Sequence, residues 1–230
     1  MKTETQERAD INNMERRSFL RYAGVGVASV GLLATAACHK GQKIGPHATD
    51  IGSGDFGILN YAYTLEQLEV AFYSQVVLTP YSGMSSMELS YLTSIRDHEI
   101  LHRNFLKDTL GTNGIIDLVS DFSSINFSSR ASVLGRAKTF EDLGVMAYDG
   151  AAYLLKDPNY LSLLGKIVSV EARHAALIRN LITPGSFAGS DVVASNGLNN
   201  SLAIAQVLPM VNTFLKTKVN AANYSYYVAY

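Results

Sequence analysis

Cysteine is almost absent from this chain: Cys38 is the only one. No intrachain disulfide can form, even in an oxidising compartment. Net charge is nearly absent as well, with 19 basic residues against 20 acidic ones. That balance offers no basic surface for nucleic acid and no long-range pull toward an anionic membrane. Low-complexity tracts and short-period tandem repeats are missing, which sets aside solenoids and repeat arrays. Beyond residue 39 no segment alternates apolar and polar residues over a full strand length, so the predicted class is all-α. Long apolar runs are scarce too. The one at Tyr22 to Ala37 is too short and too glycine-rich for a comfortable transmembrane helix.

That apolar run belongs to a distinctive N-terminus. A polar start leads into Arg16-Arg17-Ser18-Phe19-Leu20-Arg21, then the apolar stretch, then small residues before Cys38. A charged region, a short apolar region and small residues before a cut site are the parts of a secretory signal. The paired arginines resemble the twin-arginine signal of bacteria, which exports proteins already folded. Thr35-Ala36-Ala37-Cys38 resembles a lipoprotein cleavage site, at which Cys38 would be lipidated; the usual Leu is here Thr35. Cleavage after an alanine, or an uncut N-terminal anchor, are the alternatives. The expectation is a signal over 1–38, a tether over 39–54, and a periplasmic or cell-envelope location with Cys38 as the lipid-anchor site.

Four long helical patterns follow, at Asp55 to Val77, Ser85 to Leu110, Val133 to Leu155 and Tyr160 to Ile182. Ser85 followed by Glu88 suits a capping box, Gly111-Thr112-Asn113-Gly114 a stop, and Lys156-Asp157-Pro158-Asn159 a turn into the fourth helix. A fifth, shorter pattern spans Leu202 to Lys216, where Pro209 predicts a kink or break. Residues 55–182 are thus expected to form a four-helix bundle, and 183–230 a C-terminal extension carrying a short helix and a tyrosine-rich tail.

The chemistry lies in the seams. Read at steps of three and four, the second helix presents Leu92, Ile95, Glu99, His102 and Leu106 on one face. The fourth presents Leu164, Ile167, Glu171, His174, Ile178 and Leu181. The first presents Leu59, Ala62, Glu66, Glu69, Tyr73 and Val76, and the third Ala137, Glu141, Gly144, Tyr148, Ala151 and Leu155. Every apolar stripe is broken mid-helix by a carboxylate, and two of them by Glu-x-x-His. Burying so many unpaired ions would cost several kcal/mol each. Two divalent cations would compensate them. A Glu from each of two helices with a Glu-x-x-His from each of the other two is the ligand set of carboxylate-bridged di-iron and di-manganese bundles.

One Glu-x-x-His means little; two on apolar seams mean more. Glu66 precedes Glu99 by 33 residues and Glu141 precedes Glu171 by 30, and Tyr73 and Tyr148 each lie seven after a seam glutamate. The chain reads as two copies of one helix-pair device. The expected ligands are Glu66, Glu99, His102, Glu141, Glu171 and His174. Glu69, whose counterpart is Gly144, is either an alternative ligand or a surface-leaning residue. Tyr73 and Tyr148 are either groups that orient the ligands or ordinary core aromatics. Asp97, His98 and Arg173 fall off the seam and read as solvated or as interhelical ion pairs.

The segments LEQLEVAFY, DHEILHRNFL, FEDLGVMAYDGAAYLL and VSVEARHAALIRNL resemble the bacterial ferritin-like domain proteins, whose relatives include plant desiccation-related proteins. The resemblance covers about Phe56 to Ile182, and SLAIAQVLPMVNTFL is similar to that family's C-terminal helix. It implies a ferritin-like bundle and the same six ligands, but no settled reaction. Carboxylates with only two nitrogens favour two Fe or Mn ions over a thiophilic metal. The leading expectation is an oxidoreductase acting with oxygen or peroxide. A metal-poor structural or stress-protective envelope protein is the alternative, and iron storage in a homo-oligomeric shell a third.

Overall fold

The computed structural model describes residues 48–224. The signal segment with Cys38, the tether through residue 47 and the tail beyond Tyr224 lie outside them. Five α-helices appear: α1 (Gly54–Leu78), α2 (Ser86–Leu110), α3 (Arg130–Ala152), α4 (Pro158–Ile182) and α5 (Ile204–Asn212). Helices α1 and α2 pack as one antiparallel hairpin and α3 and α4 as another, with α1 and α3 in contact across the middle. The all-α bundle with an added C-terminal helix is therefore as the seams predict. Among the described residues, no helix is long and apolar enough to cross a membrane.

Local chemistry sets the helix ends. At α2 the capping box is complete: the Glu88 N–H donates to Ser85 Oγ (3.1 Å) and the Ser85 N–H to Glu88 Oε2 (3.1 Å). The other Glu88 oxygen accepts from Arg130 Nε (2.7 Å), and Arg130 Nη2 donates to the Leu181 carbonyl (2.9 Å). One arginine so joins the start of α2 to the end of α4. Gly111 terminates α2 at φ +52°, a left-handed conformation in which a side chain would be strained. Helix α3 starts about one turn earlier than its apolar pattern because Ser129 caps it, and it also ends about one turn earlier, at Ala152, leaving Leu155 outside it. At its far end Asp55 of α1 accepts the Lys156 and Asp157 N–H groups (2.9 and 2.8 Å). Those bonds hold the turn into α4, which begins with Asp157 as cap and Pro158 in the first turn.

Two expectations need correction. The last residues of the expected tether are packed: Thr49–Asp50 (β1) pairs in parallel with Val219–Asn220 (β2), and Ile51 is buried in the core. Two-residue strands carry no periodicity for a sequence to display. Helix α5 runs through Pro209 and stops at Asn212, well short of Lys216. Pro209 and Ala205 both lie on its exposed side, so the Ala205 carbonyl that loses its donor faces water and costs little. The connection from Ile115 to Ser132 between the two hairpins is held against α1. Asn60 and Gln67 of α1 bond its backbone at Asn113, Ile115 and Leu118, and Phe122 and Phe127 pack on Phe72.

The segment after α4 is held by Arg179. Its guanidinium is buried and forks onto Asp142 of α3 (2.7 and 2.8 Å) and Asp191 (3.0 and 2.7 Å). Replacing it in Arg179→Met strands the buried Asp142 carboxylate with only Lys138, 3.3 Å away. Breaking a buried pair this way is expected to cost about 3 kcal/mol, read as a lower urea midpoint with an unchanged slope. A midpoint equal to wild type would show that the fork holds nothing.

Candidate metal centre

Four helices each deliver one carboxylate to the same depth of the bundle. Glu66, Glu99, Glu141 and Glu171 are all completely buried, and His174 and His102 lie beside them. The arrangement has a near two-fold symmetry. His102 Nδ1 lies 2.8 Å from Glu171 Oε1, 3.4 Å from Glu99 Oε2 and 3.6 Å from Glu66 Oε2. His174 Nδ1 lies 2.8 Å from Glu99 Oε1, 3.7 Å from Glu141 Oε2 and 3.8 Å from Glu171 Oε2. Two groups result, Glu66–Glu99–His102–Glu171 and Glu99–Glu141–Glu171–His174, each with its donor atoms within 4.8 Å of one another. Glu99 and Glu171 belong to both, sending one oxygen to each side.

The polar atoms here crowd together, yet most of them make no hydrogen bond. Although the nearest carboxylate oxygens are only 2.8 Å from each imidazole Nδ1, the angles are wrong for hydrogen bonds. Glu66 Oε2, Glu141 Oε2, both oxygens of Glu99, both of Glu171 and the two Nδ1 atoms are buried without a hydrogen-bond partner. Buried polar atoms are nearly always satisfied, and eight exceptions in one cluster call for an explanation. The remaining oxygens of the outer glutamates are satisfied. Tyr73 of α1 donates to Glu141 Oε1 (2.5 Å), and Tyr148 of α3 donates to Glu66 Oε1. Each tyrosine thus reaches across to the other hairpin's glutamate. Burial, then the neighbouring carboxylate, holds both phenols well above their ordinary range, so both remain donors.

Electrostatics reflect the crowding. Burial first, then neighbouring carboxylates, pushes Glu66 well above the usual carboxylate range; burial does the same to Glu141, against the opposing pull of His174. For Glu99 burial also pushes upward, but contacts with His102 and His174 outweigh it and bring the group to about 2. Burial lowers both histidines, yet Glu171, Glu66 and Glu99 bring His102 up to about 12, and Glu171, Glu99 and Glu141 bring His174 up to about 11.

Glu69 is not surface-leaning: it is buried, and its Oε2 also lacks a partner. Gly144 explains how it fits, since a Cβ there would lie 3.2 Å from Glu69 Oε1. It belongs to neither four-residue group. It lines instead a narrow crevice with Leu65, Leu68, Phe140, Leu143 and Val211, with room only for water-sized molecules. Asp97 and Arg173 are surface residues paired locally, to Arg96 and Ser169. His98 differs from its sequence reading. Its Nδ1 lies 2.9 Å from His174 Nε2, and the two rings meet edge to edge, their centroids 5.2 Å apart and their planes within 7° of each other. The signal was its spacing of four from His102, which puts both on one side of α2.

No curated protein matches the chain. The family model of the ferritin-like domain matches residues 54–184, all four bundle helices. With that match over more than half its length, and a carboxylate–histidine cluster at the bundle's centre, the chain belongs to the ferritin-like domain family.

Proposed function

We propose that this is an exported di-metal carboxylate oxidoreductase, holding two Fe or Mn ions and acting with dioxygen or peroxide. One observation carries the reading: the eight unpartnered donor atoms divide into two sets of one imidazole nitrogen and three carboxylate oxygens. Hydrogen bonds within the protein would have used those atoms; cations use them without any other partner. Oxygen donors with two imidazoles and no thiolate suit iron or manganese. Bound there, redox-capable ions would supply the electron exchange with dioxygen or peroxide that no side chain of the site supplies.

The chain's own contribution is placement. Tyr73 and Tyr148 each engage one oxygen of an outer glutamate, which leaves the second oxygen aimed inward. Glu99 and Glu171 would tie the two positions together, because each offers one oxygen to either group. The apolar shell of Leu59, Ile95, Leu106, Ala137 and Ile167 excludes bulk water and strengthens every charge interaction inside. The crevice at Glu69 has room only for water-sized molecules and leaves no space there for a bulky organic substrate.

Titrating the metal-free protein with Mn(II), or anaerobically with Fe(II), tests this. Two equivalents are expected, and fewer than one would sink the reading. Protons must leave as metal enters. His102 and His174, held up to about 12 and about 11, are protonated at neutral pH without metal, and their Nδ1 atoms donate only once those protons are gone. Binding is therefore expected to release about two protons or more at pH 7 and to tighten as pH rises from about 6 to about 8. Affinity independent of pH would contradict the ligand assignment. Peroxide consumption by the Fe- or Mn-loaded protein with a reductant tests the reaction itself.

A further inference from the structure

The two halves of the centre match in their carboxylates, histidines and tyrosines but not in what stands behind the histidines. Behind His174 is His98. The Nδ1 of His174 faces the carboxylates and is one of the unpartnered donors, so its proton resides on Nε2 when the ring is a neutral ligand. That Nε2–H then donates to His98 Nδ1, 2.9 Å away, and because the two rings lie nearly in one plane this in-plane hydrogen bond fixes the plane of His174. The mirror of His98, the residue just before the other shared glutamate, is Val170. A valine side chain neither donates nor accepts, so His102 receives no such support from that position. His102 is also the more open of the two, with 14% of its side chain exposed against 5% for His174.

We propose that His98 is a positioning residue that makes the two metal positions unequal. The position built by His174, Glu141, Glu99 and Glu171 fills first and holds its ion more tightly than the one built by His102, Glu66, Glu99 and Glu171. The inference rests on the di-metal reading above. Its physical basis is pre-organisation: a ligand whose ring plane and tautomer are already set gives up less freedom on binding. The position at His102 must order its imidazole as the ion arrives, and it does so nearer to solvent.

The test is a Mn(II) titration of the metal-free protein followed by electron paramagnetic resonance, in wild type, His98→Ala, His98→Asn and Val170→Ala. Wild type is expected to bind two equivalents, the first at least about tenfold tighter than the second. His98→Ala is expected to weaken the first equivalent by roughly 10- to 100-fold, the usual consequence of losing an outer partner of a ligand, and to leave the second within about threefold. Asn carries an amide oxygen near where His98 has Nδ1, so His98→Asn is expected to restore most of the first affinity. Val170→Ala is expected to leave both unchanged. His98 is exposed, so these variants should retain wild-type helicity, checked by circular dichroism. Two equal affinities in wild type, equal weakening of both equivalents in His98→Ala, or no rescue by Asn would each overturn the proposal while leaving a two-metal centre intact. A wild-type protein that binds no metal would overturn both readings.

Discussion

Alanine at both Glu99 and Glu171 is expected to abolish binding at both metal positions at once, because each of these glutamates sends one oxygen to each side. Metal content should fall from two equivalents to well below one. The wild-type protein should gain about 2.7 kcal/mol per position with metal at about 100 times its dissociation constant. For a domain of this size, two positions correspond to a rise in Tm of roughly 10–20 °C, and the double variant should show none of it. The metal-free proteins should differ in the same direction but by less. Without metal, Glu99 and Glu171 are the nearest anions to the protonated His102 and His174, and deleting them leaves two buried imidazoliums short of partners. The metal-free double variant is therefore expected to melt below metal-free wild type, by far-ultraviolet circular dichroism, and the gap between the two should widen when metal is added. A double variant that still binds two equivalents would refute the shared-carboxylate geometry. Glu66→Ala gives the contrast: it is expected to remove one equivalent and spare the other.

The cost of burying carboxylates in an apolar seam is also why the centre could be read from the sequence. Glu66, Glu99, Glu141 and Glu171 interrupt stripes that are otherwise leucine, isoleucine, valine and alanine, and a bundle tolerates such interruptions only where something compensates them. Periodicity places each of these residues on the inner face of its own helix, and the four-helix architecture then brings them together. The partners of Tyr73 and Tyr148 follow the same logic once the two hairpins face each other. His98 was not legible in this way. Its contact with His174 depends on how α2 lies against α4, and its spacing of four from His102 gives only the side of α2 on which it sits, not what it meets there. Glu69 was only half legible, since its burial depends on the space that Gly144 leaves on a different helix. The β1–β2 pairing escaped altogether: neither strand is long enough to show a pattern, and the partners are some 170 residues apart. Sequence therefore conveyed what each helix buries, and missed what depends on how elements meet.

Gly150→Ala is expected to be the most damaging single change outside the centre, and the reason is such a meeting point. A Cβ at residue 150 would lie 2.0 Å from the Leu202 carbonyl oxygen and 2.6 Å from its carbon. These are backbone atoms, and the Leu202 N–H is itself fixed to the Met146 carbonyl (3.0 Å), so the strand of chain crossing α3 has nowhere to move. Either α3 or the C-terminal segment must shift. The segment begins α5, whose Val207 and Val211 are buried, and then supplies Phe214 and Lys216, whose backbone bonds hold Asp121 and Val119 of the connection between hairpins. It ends at β2, paired to β1, and at Tyr224, which donates to the Gly54 carbonyl at the start of α1 (2.7 Å). Undocking at Leu202 therefore loosens several elements together. The expected cost is about 3 kcal/mol or more, the range of severe overpacking. Limited proteolysis should cut Gly150→Ala between α4 and α5 under conditions that leave wild type whole. The centre lies in the four long helices, so metal binding should fall less than stability does. Wild-type resistance to proteolysis would mean that the crossing can relax, and that the C-terminal segment is held by α5 rather than by its contact with Gly150.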